Sequence, residues 1–493
     1  MSRGMKLLWV DDEIEGFRPH ILFLEKEGIQ VKAVDHPADA IKILEQESFD
    51  LILLDYRMPE MNGLELLKEV KKAAPHIPVA LVTMVTDRDI IEDSIAEEVF
   101  DYIVKPVQPS QILALLKRLQ LKEIKQRRLG KKLIEIYREI ESLPQDYEGW
   151  LRKGRLFSLW RIEAEEEETL ESELSAQNLE FARWIERNYS SLIKDEDYAM
   201  SHNVVAREVL PELNYTGKVA FFVFDNFRHD QFMRMLKELP RSLKVEQKDY
   251  MALLPTATPY ARNALFAGIL PVDIERRHPG WTKDNRHEIE LMLEQLREKG
   301  YSWAKLDFKK INSLNDLKDI RVGNADMEVY VVNFLDLLSH LRQEIQALKE
   351  LSPDGEGFIR WSSFVLSESN LFDKFTVLAQ KGYVIFLTSD HGWVEAYNPA
   401  IIQGGGELTR GLRYKFGDSV KPQSKGILLV RDLREFGLPS MRGQARLALA
   451  TDYAYFVYPS DPHRFEKKYR GGIYHGGISL EEMVIPLIKL VAA

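Results

Sequence analysis

Cysteine is absent from this chain of 493 residues. Disulfide bonds, thiolate metal sites and cysteine nucleophiles are therefore excluded, and any metal site must use His, Asp, Glu, Ser or Thr. Long apolar runs are also missing, since none reaches the roughly 20 residues that a membrane span needs. The formal net charge of -10 argues against a nucleic-acid partner held by bulk positive charge. We expect a soluble cytoplasmic protein.

The pattern of apolar and polar residues predicts three parts, residues 1–122, 123–205 and 206–493. In the first part five short apolar runs alternate with amphipathic stretches, which is typical of a parallel sheet covered by helices on both faces. The runs are residues 6–10, 31–34, 51–54, 79–83 and 102–104. The fold class we expect here is a doubly wound five-stranded α/β domain.

The second part is helical and heavily charged. It includes a basic run at 118–132 and an acidic run at 163–168, and Leu and Ile recur at helical spacing through 112–140. We interpret it as a helical linker or small bundle. A solvated spacer, a surface for dimerisation or signal relay, and nucleic-acid binding by the basic run remain alternatives.

In the third part strongly apolar runs return, each followed by polar residues and a helical stretch. These runs are residues 219–224, 251–254, 329–334 and 384–387. The pattern predicts a second, larger α/β domain.

Polar side chains follow the predicted strands of the first domain. Because ligands of an open parallel sheet gather at the carboxyl ends of its strands, Asp11, Asp12 and Asp55 should lie at one rim. Three carboxylates suit Mg²⁺, which can offset charge on a phosphoryl group while Asp55 attacks it. Thr83 can hydrogen-bond a phosphoryl oxygen and Lys105 can supply positive charge. We also expect a cis peptide bond before the proline that follows Lys105.

The motifs WVDDE, LDYRMPEMNG, VTM and YIVKP occur in this order around the predicted strands. Over residues 5–120 the chain resembles the receiver domain of bacterial response regulators. The resemblance implies that a sensor histidine kinase phosphorylates Asp55. It also implies that the Arg57 carbonyl joins the three carboxylates around Mg²⁺, and that Thr83 and Tyr102 form a switch pair that reorients on phosphorylation.

Acids and histidines also follow the strands of the third part. Asp336 and His340 are four residues apart, which places them on one face of a helix. Nitrogen and oxygen donors of this kind can be sorted into two zinc-type sites. The candidate ligands are Asp225, Asp336, His340, Asp390, His391 and His475.

The order Asp, Thr/Ser, Asp-x-x-x-His, Asp-His and a late His resembles the alkaline phosphatase superfamily over residues 215–490, and more narrowly a PglZ domain. The superfamily places its nucleophile at the start of a helix, where the helix terminus favours anions. Thr256 and Thr258 both compete for this role. Some members carry an arginine four positions and a glycine ten positions after the nucleophile. Arg262 and Gly268 stand at those positions relative to Thr258, so we prefer Thr258.

The resemblance implies two zinc ions and a threonine nucleophile whose pKa one zinc lowers. The first zinc would be bound by Asp225, Thr258, Asp390 and His391. The second would be bound by Asp336, His340 and His475. Arg262 or Asn263 could bind a phosphoryl oxygen, and we expect His229 and Asp230 to shape the substrate mouth. His278, His287 and His463 are alternative ligands that lack the matching spacing.

A receiver, a helical linker and a PglZ domain together resemble the PorX-like response regulators associated with type IX secretion. The resemblance implies a phosphorylation-promoted homodimer, phosphodiesterase action on cyclic or linear oligonucleotides, and contact with a sigma factor and a secretion motor protein. A signalling adaptor with a structural metal site is the alternative function. A DNA-binding regulator is disfavoured, because the chain is acidic and has no terminal helix-turn-helix pattern.

Overall fold

The computed structural model describes residues 5–59, 61–84, 99–164, 168–345, 350, 352–404, 411–440, 445–459 and 462–493. The chain forms two compact units, Met1–Lys131 and Lys132–Ala493. Within the described ranges, no helix combines the length and the apolar character that a membrane span requires.

The first unit is built on one parallel sheet of five strands in the order β2-β1-β3-β4-β5. Its strands are β1 (Lys6–Val10), β2 (Gln30–Val34), β3 (Leu51–Asp55), β4 (Val79–Thr83) and β5 (Asp101–Val104). Its helices are α1 (Arg18–Lys26), α2 (Pro37–Gln46), α3 (Gly63–Ala73) and α4 (Pro109–Ser142), the last of which continues into the second unit. Apolar side chains cover both faces of the sheet, so β3 and β4 are buried throughout.

The predicted doubly wound five-stranded domain is therefore confirmed. Two strands have the predicted bounds, and the other three begin or end one residue away. The amphipathic stretch predicted between β4 and β5 includes residues 85–98, which lie outside the described residues. Helix α3 begins where it does because Asn62 and Glu65 form a capping box, which satisfies two backbone N–H groups at the helix start.

The second unit contains a six-stranded sheet in the order β7-β19-β10-β6-β9-β8. The strands are β6 (Val219–Phe224), β7 (Leu243–Met251), β8 (Leu306–Ile311), β9 (Met327–Val332), β10 (Val384–Ser389) and β19 (Val484–Ala492). Strands β8, β9, β6 and β10 are mutually parallel, and β19 is antiparallel to both of its neighbours. The larger α/β domain is also confirmed. Its parallel strands bring their carboxyl ends to one edge, where a site can form.

The second unit also contains smaller sheets and further helices. The remaining strands are β11 (Val394–Ala396), β12 (Asn398–Gln403), β13 (Tyr414–Gly417), β14 (Lys421–Pro422), β15 (Ile427–Val430), β16 (Arg446–Ala450), β17 (Ala454–Val457) and β18 (Gly472–Tyr474). The helices are α5 (Tyr147–Ala164), α6 (Glu168–Leu192), α7 (Pro211–Thr216), α8 (His229–Leu236), α9 (Thr258–Ala267), α10 (Pro271–Arg277), α11 (Glu288–Glu298), α12 (Leu314–Lys318), α13 (Phe334–Glu344), α14 (Gly355–Ser367), α15 (Leu371–Gln380), α16 (Pro462–Tyr469) and α17 (Leu480–Met483). Short 3-10 or π turns of this unit lie at Val205–Val209, Trp281–Lys283 and Leu433–Phe436, and the first unit has one at Ile14–Phe17.

The strand predicted at residues 251–254 is wrong. The structure places a longer strand before it, Leu243–Met251, which pairs along its whole length with β19. This strand lies at the edge of the sheet, and its charged residues hide it from an apolar pattern. The apolar residues 252–254 instead lead into a turn with a cis bond before Pro255.

Candidate functional site

The receiver carboxylates meet at the carboxyl edge of the first sheet. Oxygens of Asp11, Asp12 and Asp55 all lie within 4.8 Å of one another. Asp11 and Asp55 are buried at the ends of β1 and β3, and Asp12 is exposed. Burial raises the pKa of Asp11, with Asp55 adding to the effect. A set of close oxygen donors from two buried carboxylates and one exposed carboxylate fits the requirements of Mg²⁺.

Lys105 lies against these acids from the end of β5. Its Nζ is 2.8 Å from an Asp55 oxygen and 3.5 Å from an Asp11 oxygen. Burial lowers the pKa of Lys105, but the hydrogen bond to Asp55 and the charge of Asp11 raise it overall. The peptide bond between Lys105 and Pro106 is cis, as expected.

The other predicted receiver residues lie on the same edge or next to it. Thr83 is the last residue of β4 and is buried, and Tyr102 lies in the neighbouring β5. Arg57 lies two residues after Asp55, in the turn that leads to α3. Backbone packing is tight here, because a Cβ added at Gly63 would lie 2.6 Å from the Asp55 carbonyl oxygen.

The predicted ligands of the second unit form two clusters. Within each cluster one donor atom from each residue lies within 4.8 Å of the others. The first cluster is Asp225, Asp390 and His391, and the second cluster is Asp336, His340 and His475. The clusters adjoin, because the rings of His391 and His475 stack with centroids 4.4 Å apart.

Strand ends position the first cluster. Asp225 follows β6, and Asp390 and His391 follow the adjacent parallel strand β10. All three are buried, and Asp390 Oδ2 has no hydrogen-bond partner among the described residues. A buried carboxylate oxygen of this kind is costly unless a cation occupies the site.

A helix and a loop position the second cluster. Asp336 and His340 lie one turn apart on α13, with His340 Nε2 3.4 Å from Asp336 Oδ2. His475 follows β18, and its Nδ1 donates to the Thr256 carbonyl at 3.0 Å. That hydrogen bond leaves Nε2, which lies 4.0 Å from Asp336 Oδ1, available as a ligand.

The protonation states suit cation binding. Burial lowers the pKa of His391 and of His475 to about 4, so both rings are neutral near pH 7 and can offer a lone pair. Burial raises the pKa of Asp225 and of Asp390, although Arg262 opposes the rise. The chemistry of these nitrogen and oxygen donors fits zinc.

The two candidate threonines occupy different environments. Thr258 is the first residue of α9, and its Oγ1 lies 3.3 Å from Asp225 Oδ1 and 3.4 Å from His391 Nε2. Thr256 is fully buried. Its hydroxyl donates to the Gly477 carbonyl and accepts from the Gly476 N–H. The structure therefore brings Thr258, and not the Thr256 hydroxyl, to the first cluster.

Arg262 and Asn263 do not lie where a phosphoryl oxygen could reach them freely. Arg262 is 0% exposed, and its guanidinium contacts Asp225 at 2.8 Å and Glu288 at 2.7 Å. The Asn263 amide donates to three backbone carbonyls around the first turns of α9 and the Trp281 turn. Both side chains are buried among protein groups, although Arg262 Nη2 has no hydrogen-bond partner among the described residues, and the expectation that either binds the phosphoryl group stays a prediction.

The expectation that His229 and Asp230 shape a substrate mouth is also corrected. Both are buried at the start of α8. His229 Nε2 lies 3.0 Å from Asp249 Oδ1, and Asp230 contacts Arg228. These contacts hold α8 in place.

The alternative ligands lie in other surroundings. His278 contacts Glu294 at 2.9 Å and stacks on Trp281, and His287 also stacks on that indole. The side chain of His463 lies outside the described residues.

The sequence analysis missed Asn226, which joins the two clusters. Its Nδ2 donates to Asp336 Oδ1 at 2.9 Å, and its backbone N–H donates to Asp390 Oδ1 at 3.2 Å. Its φ of 58° is left-handed, a conformation that Asn adopts more readily than most residues. An Asn directly after a strand-end Asp was the available signal.

Two known protein families match different parts of this chain. The response regulator receiver domain model matches residues 7–117. The model described as the BREX system PglZ alkaline phosphatase-like domain matches residues 204–490, more than half of the chain.

Curated relatives share only part of this chain. The DNA-binding transcriptional regulator NtrC of Proteus hauseri is 36% identical over 112 residues, which are 22% of this chain and 24% of that protein. The cyclic di-GMP phosphodiesterase response regulator RpfG of Xanthomonas campestris is 33% identical over 149 residues, 28% of this chain and 39% of that protein. The chain thus spans about a quarter to two fifths of the length of these relatives.

Solved structures give the same partial coverage. A CheY-like receiver domain protein from Methanospirillum hungatei is 30% identical and covers 24% of this chain and 98% of its own, with a TM-score of 0.24. The chemotaxis protein CheY4 of Vibrio cholerae is 27% identical and covers 24% of this chain and 99% of its own, with a TM-score of 0.23. The matched family models, together with the two-cluster site, show that this chain belongs to the PglZ family of alkaline phosphatase-like domains and carries a response regulator receiver domain before it.

Proposed function

We propose that this chain is a PorX-like response regulator whose receiver, phosphorylated on Asp55, controls a zinc-dependent phosphodiesterase. The observation that carries the proposal is the position of Thr258. Thr258 begins a helix, and its hydroxyl contacts Asp225 and His391. The ring of His391 in turn stacks on His475 of the second cluster. A nucleophile, a helix N-terminus and two sets of metal donors suit phosphoryl transfer.

The reaction uses Thr258 Oγ1 as the attacking atom. A bond forms between this oxygen and phosphorus while the bond from phosphorus to the leaving alkoxide breaks. The threonine proton passes to solvent, and the leaving alkoxide takes up a proton. Water then hydrolyses the phosphothreonine ester, which releases a phosphomonoester and restores the hydroxyl.

The two clusters provide ligand atoms for two zinc ions. The first would be bound by Asp225, Thr258, Asp390 and His391, and the second by Asp336, His340 and His475. When bound, zinc supplies positive charge that lowers the pKa of the attacking hydroxyl and offsets the charge of the phosphodiester. Arg262 fixes the direction of Asp225, and Asn226 fixes the spacing between the clusters.

The receiver supplies the control. In the proposal Asp11, Asp12, Asp55 and the Arg57 carbonyl hold Mg²⁺, and a sensor histidine kinase provides the phosphoryl group. Aspartyl phosphate adds charge beside Lys105, and the Thr83 and Tyr102 pair reorients in response. The expected output is a homodimer.

The proposed substrate class and partners are inferred from the order of the domains. We propose cyclic or linear oligonucleotides as substrates, and a sigma factor and a type IX secretion motor protein as partners in the cytoplasm. We keep the division into a receiver (1–122), a helical segment (123–205) and a PglZ domain (206–493) as part of this proposal.

The test compares hydrolysis of bis-p-nitrophenyl phosphate by wild type and Thr258→Ala, each with zinc. Loss of the nucleophile should lower the rate by more than about 10³-fold. The Thr258→Ser variant should retain much of the wild-type rate, because serine keeps the hydroxyl. Thr376→Ala is a matched control, because that hydroxyl bonds a carbonyl of its own helix.

Two outcomes oppose the proposal. Equal rates in wild type and Thr258→Ala would remove Thr258 as the nucleophile. An absence of turnover in wild type, with and without receiver phosphorylation, would favour an adaptor whose metal site is structural.

A further inference from the structure

Two adjacent acids on the short helix α17 face different parts of the second unit. Glu482 is 0% exposed and contacts the loops that carry His475 and Thr256. Glu481 contacts side chains of helices α5 and α6. We call Leu480, Glu481 and Glu482 the joint, because together they connect these helices to the metal clusters.

Glu482 holds the His475 loop against the Thr256 loop. Arg413 donates to both oxygens of Glu482, at 2.9 and 2.7 Å, and is itself fully buried. Glu482 Oε1 accepts the Gly477 N–H at 2.8 Å and lies 3.4 Å from the Thr256 hydroxyl. A bidentate ion pair with charge-assisted hydrogen bonds fixes direction as well as distance.

Through Thr256, this arrangement reaches a metal ligand. The Thr256 hydroxyl donates to the Gly477 carbonyl at 2.9 Å, and its own carbonyl accepts from His475 Nδ1 at 3.0 Å. Thr256 is also two residues before Thr258. The hydrogen bond to Nδ1 fixes which ring nitrogen of His475 faces Asp336.

The joint also touches the first cluster through its backbone. The Gly392 N–H, next to His391, donates to the Glu482 carbonyl at 3.0 Å. A Cβ added at Gly392 would lie 2.0 Å from the Glu481 carbonyl oxygen, so only glycine permits this approach. The backbone of the joint therefore packs directly against the residue that follows His391.

Helix α6 holds the other side of the joint through one buried side chain. Asn178 is 0% exposed, accepts the Leu480 N–H at 2.8 Å and donates to Glu481 Oε2 at 2.9 Å. From helix α5, Arg161 lies 3.6 Å from Glu481. Both helices precede residue 204, where the PglZ family match begins.

We propose that Asn178 and Glu482 are positioning residues for the zinc site, and that the joint transmits the position of helices α5 and α6 to His475. The inference rests on the proposed function. In this inference helices α5 and α6 support the metal site through the joint and are not only a spacer. Partners behind a metal-binding histidine typically contribute about 10–100-fold in metal affinity.

The experiment measures zinc binding to the full-length chain by competition with a chromophoric chelator, in wild type, Asn178→Ala and Asn188→Ala. Asn188 is the matched control, since it lies on the same helix and donates to a carbonyl of that helix. Asn178→Ala should weaken one of two zinc equivalents by about 10-fold and leave the other unchanged. Excess zinc should restore diester hydrolysis by the Asn178→Ala variant.

A second variant, Glu482→Gln, keeps the shape of the side chain but removes its charge. It should weaken the same zinc equivalent, and circular dichroism and thermal unfolding show whether it folds. If it does not fold, Asn178→Ala alone decides the matter.

Unchanged zinc affinity in Asn178→Ala would overturn the inference, and so would equal weakening of both equivalents. A wild type that binds two zinc ions but cleaves no diester would contradict the proposed function alone. The zinc titration would still decide the role of the joint in that case.

Discussion

Arg262 is the residue that most stabilises the charge of the first cluster. Its guanidinium lies between Asp225 and Glu288 with no exposure, and its Nη1 is 3.8 Å from Asp390. Without this cation several buried carboxylates would face one another. Its ion pairs therefore contribute to the stability and direction of the ligands.

Arg262→Ala should lower the free energy of unfolding of the metal-free chain by about 3–5 kcal/mol, because it leaves buried charge uncompensated. Urea unfolding in the presence of a chelator measures this. Arg276→Ala is the control: its pair with Asp273 is exposed, and we expect a change of less than about 1 kcal/mol. Similar unfolding midpoints for both variants would contradict the assigned role.

His202 gives a separate prediction at the residue scale. Burial lowers its pKa to about 4 in the folded chain, whereas an unfolded histidine titrates near 6.5. Between these values the unfolded state binds the extra proton, so stability falls as the pH drops from about 6.5 to about 4 and no further below that.

His202→Gln should therefore flatten the pH dependence of the unfolding free energy between pH 4 and 6.5, by up to about 3 kcal/mol across the window. Denaturant unfolding followed by tryptophan fluorescence at several pH values measures it. An unchanged slope would show that the pKa of His202 is not lowered in the folded chain.

At the scale of elements, helix α5 is seated closely on strand β19. A Cβ added at Gly154 would lie 2.8 Å from two carbons of the Val484 side chain. The side chain of valine is β-branched and stiff, so it cannot swing away easily. The close approach of this helix and strand therefore requires glycine, although glycine weakens helices in general.

Gly154→Ala should destabilise the chain by about 1–3 kcal/mol, because overpacking exceeds the gain in helix propensity of about 1 kcal/mol. Gly16→Ala is the matched control, since nothing lies within 4 Å of a Cβ built there. Thermal unfolding of both variants measures the difference. Stabilisation by Gly154→Ala would mean that α5 is not seated on β19 as described.

At the scale of the whole molecule, phosphorylation of Asp55 should change assembly. Aspartyl phosphate places added charge beside Lys105, which now pairs with Asp55 at 2.8 Å, and so disturbs the end of β5. A local change of this kind can bias a surface between two states.

Beryllofluoride, a phosphoryl mimic, should convert a monomer to a dimer, as measured by light scattering after gel filtration. Asp55→Ala should remain monomeric with and without it. The same mass in both states of wild type, or a constitutive dimer of Asp55→Ala, would count against this switch.

Local and periodic features could be predicted from the sequence. The strands of the first domain were predicted to within one residue, since each is a short apolar run between turn signals. Parallel strands collect their carboxyl ends at one edge, so strand-end acids such as Asp225 and Asp390 could be expected to meet. Spacing along one helix favoured Thr258 over Thr256.

Contacts between residues far apart in the chain could not be predicted. Asn178 and Glu481 are separated by 303 positions, and neither belongs to a motif. The burial of Arg262, His229 and Asp230 likewise depends on which elements pack against them.

The sequence by itself determined the five strands of the first domain, the strand-end acids of both domains and the residues available as ligands. Only the tertiary structure decided which of those side chains face the site and which hold it in place. Periodicity and motif spacing report on local geometry, whereas burial and hydrogen-bond partners depend on packing between distant segments.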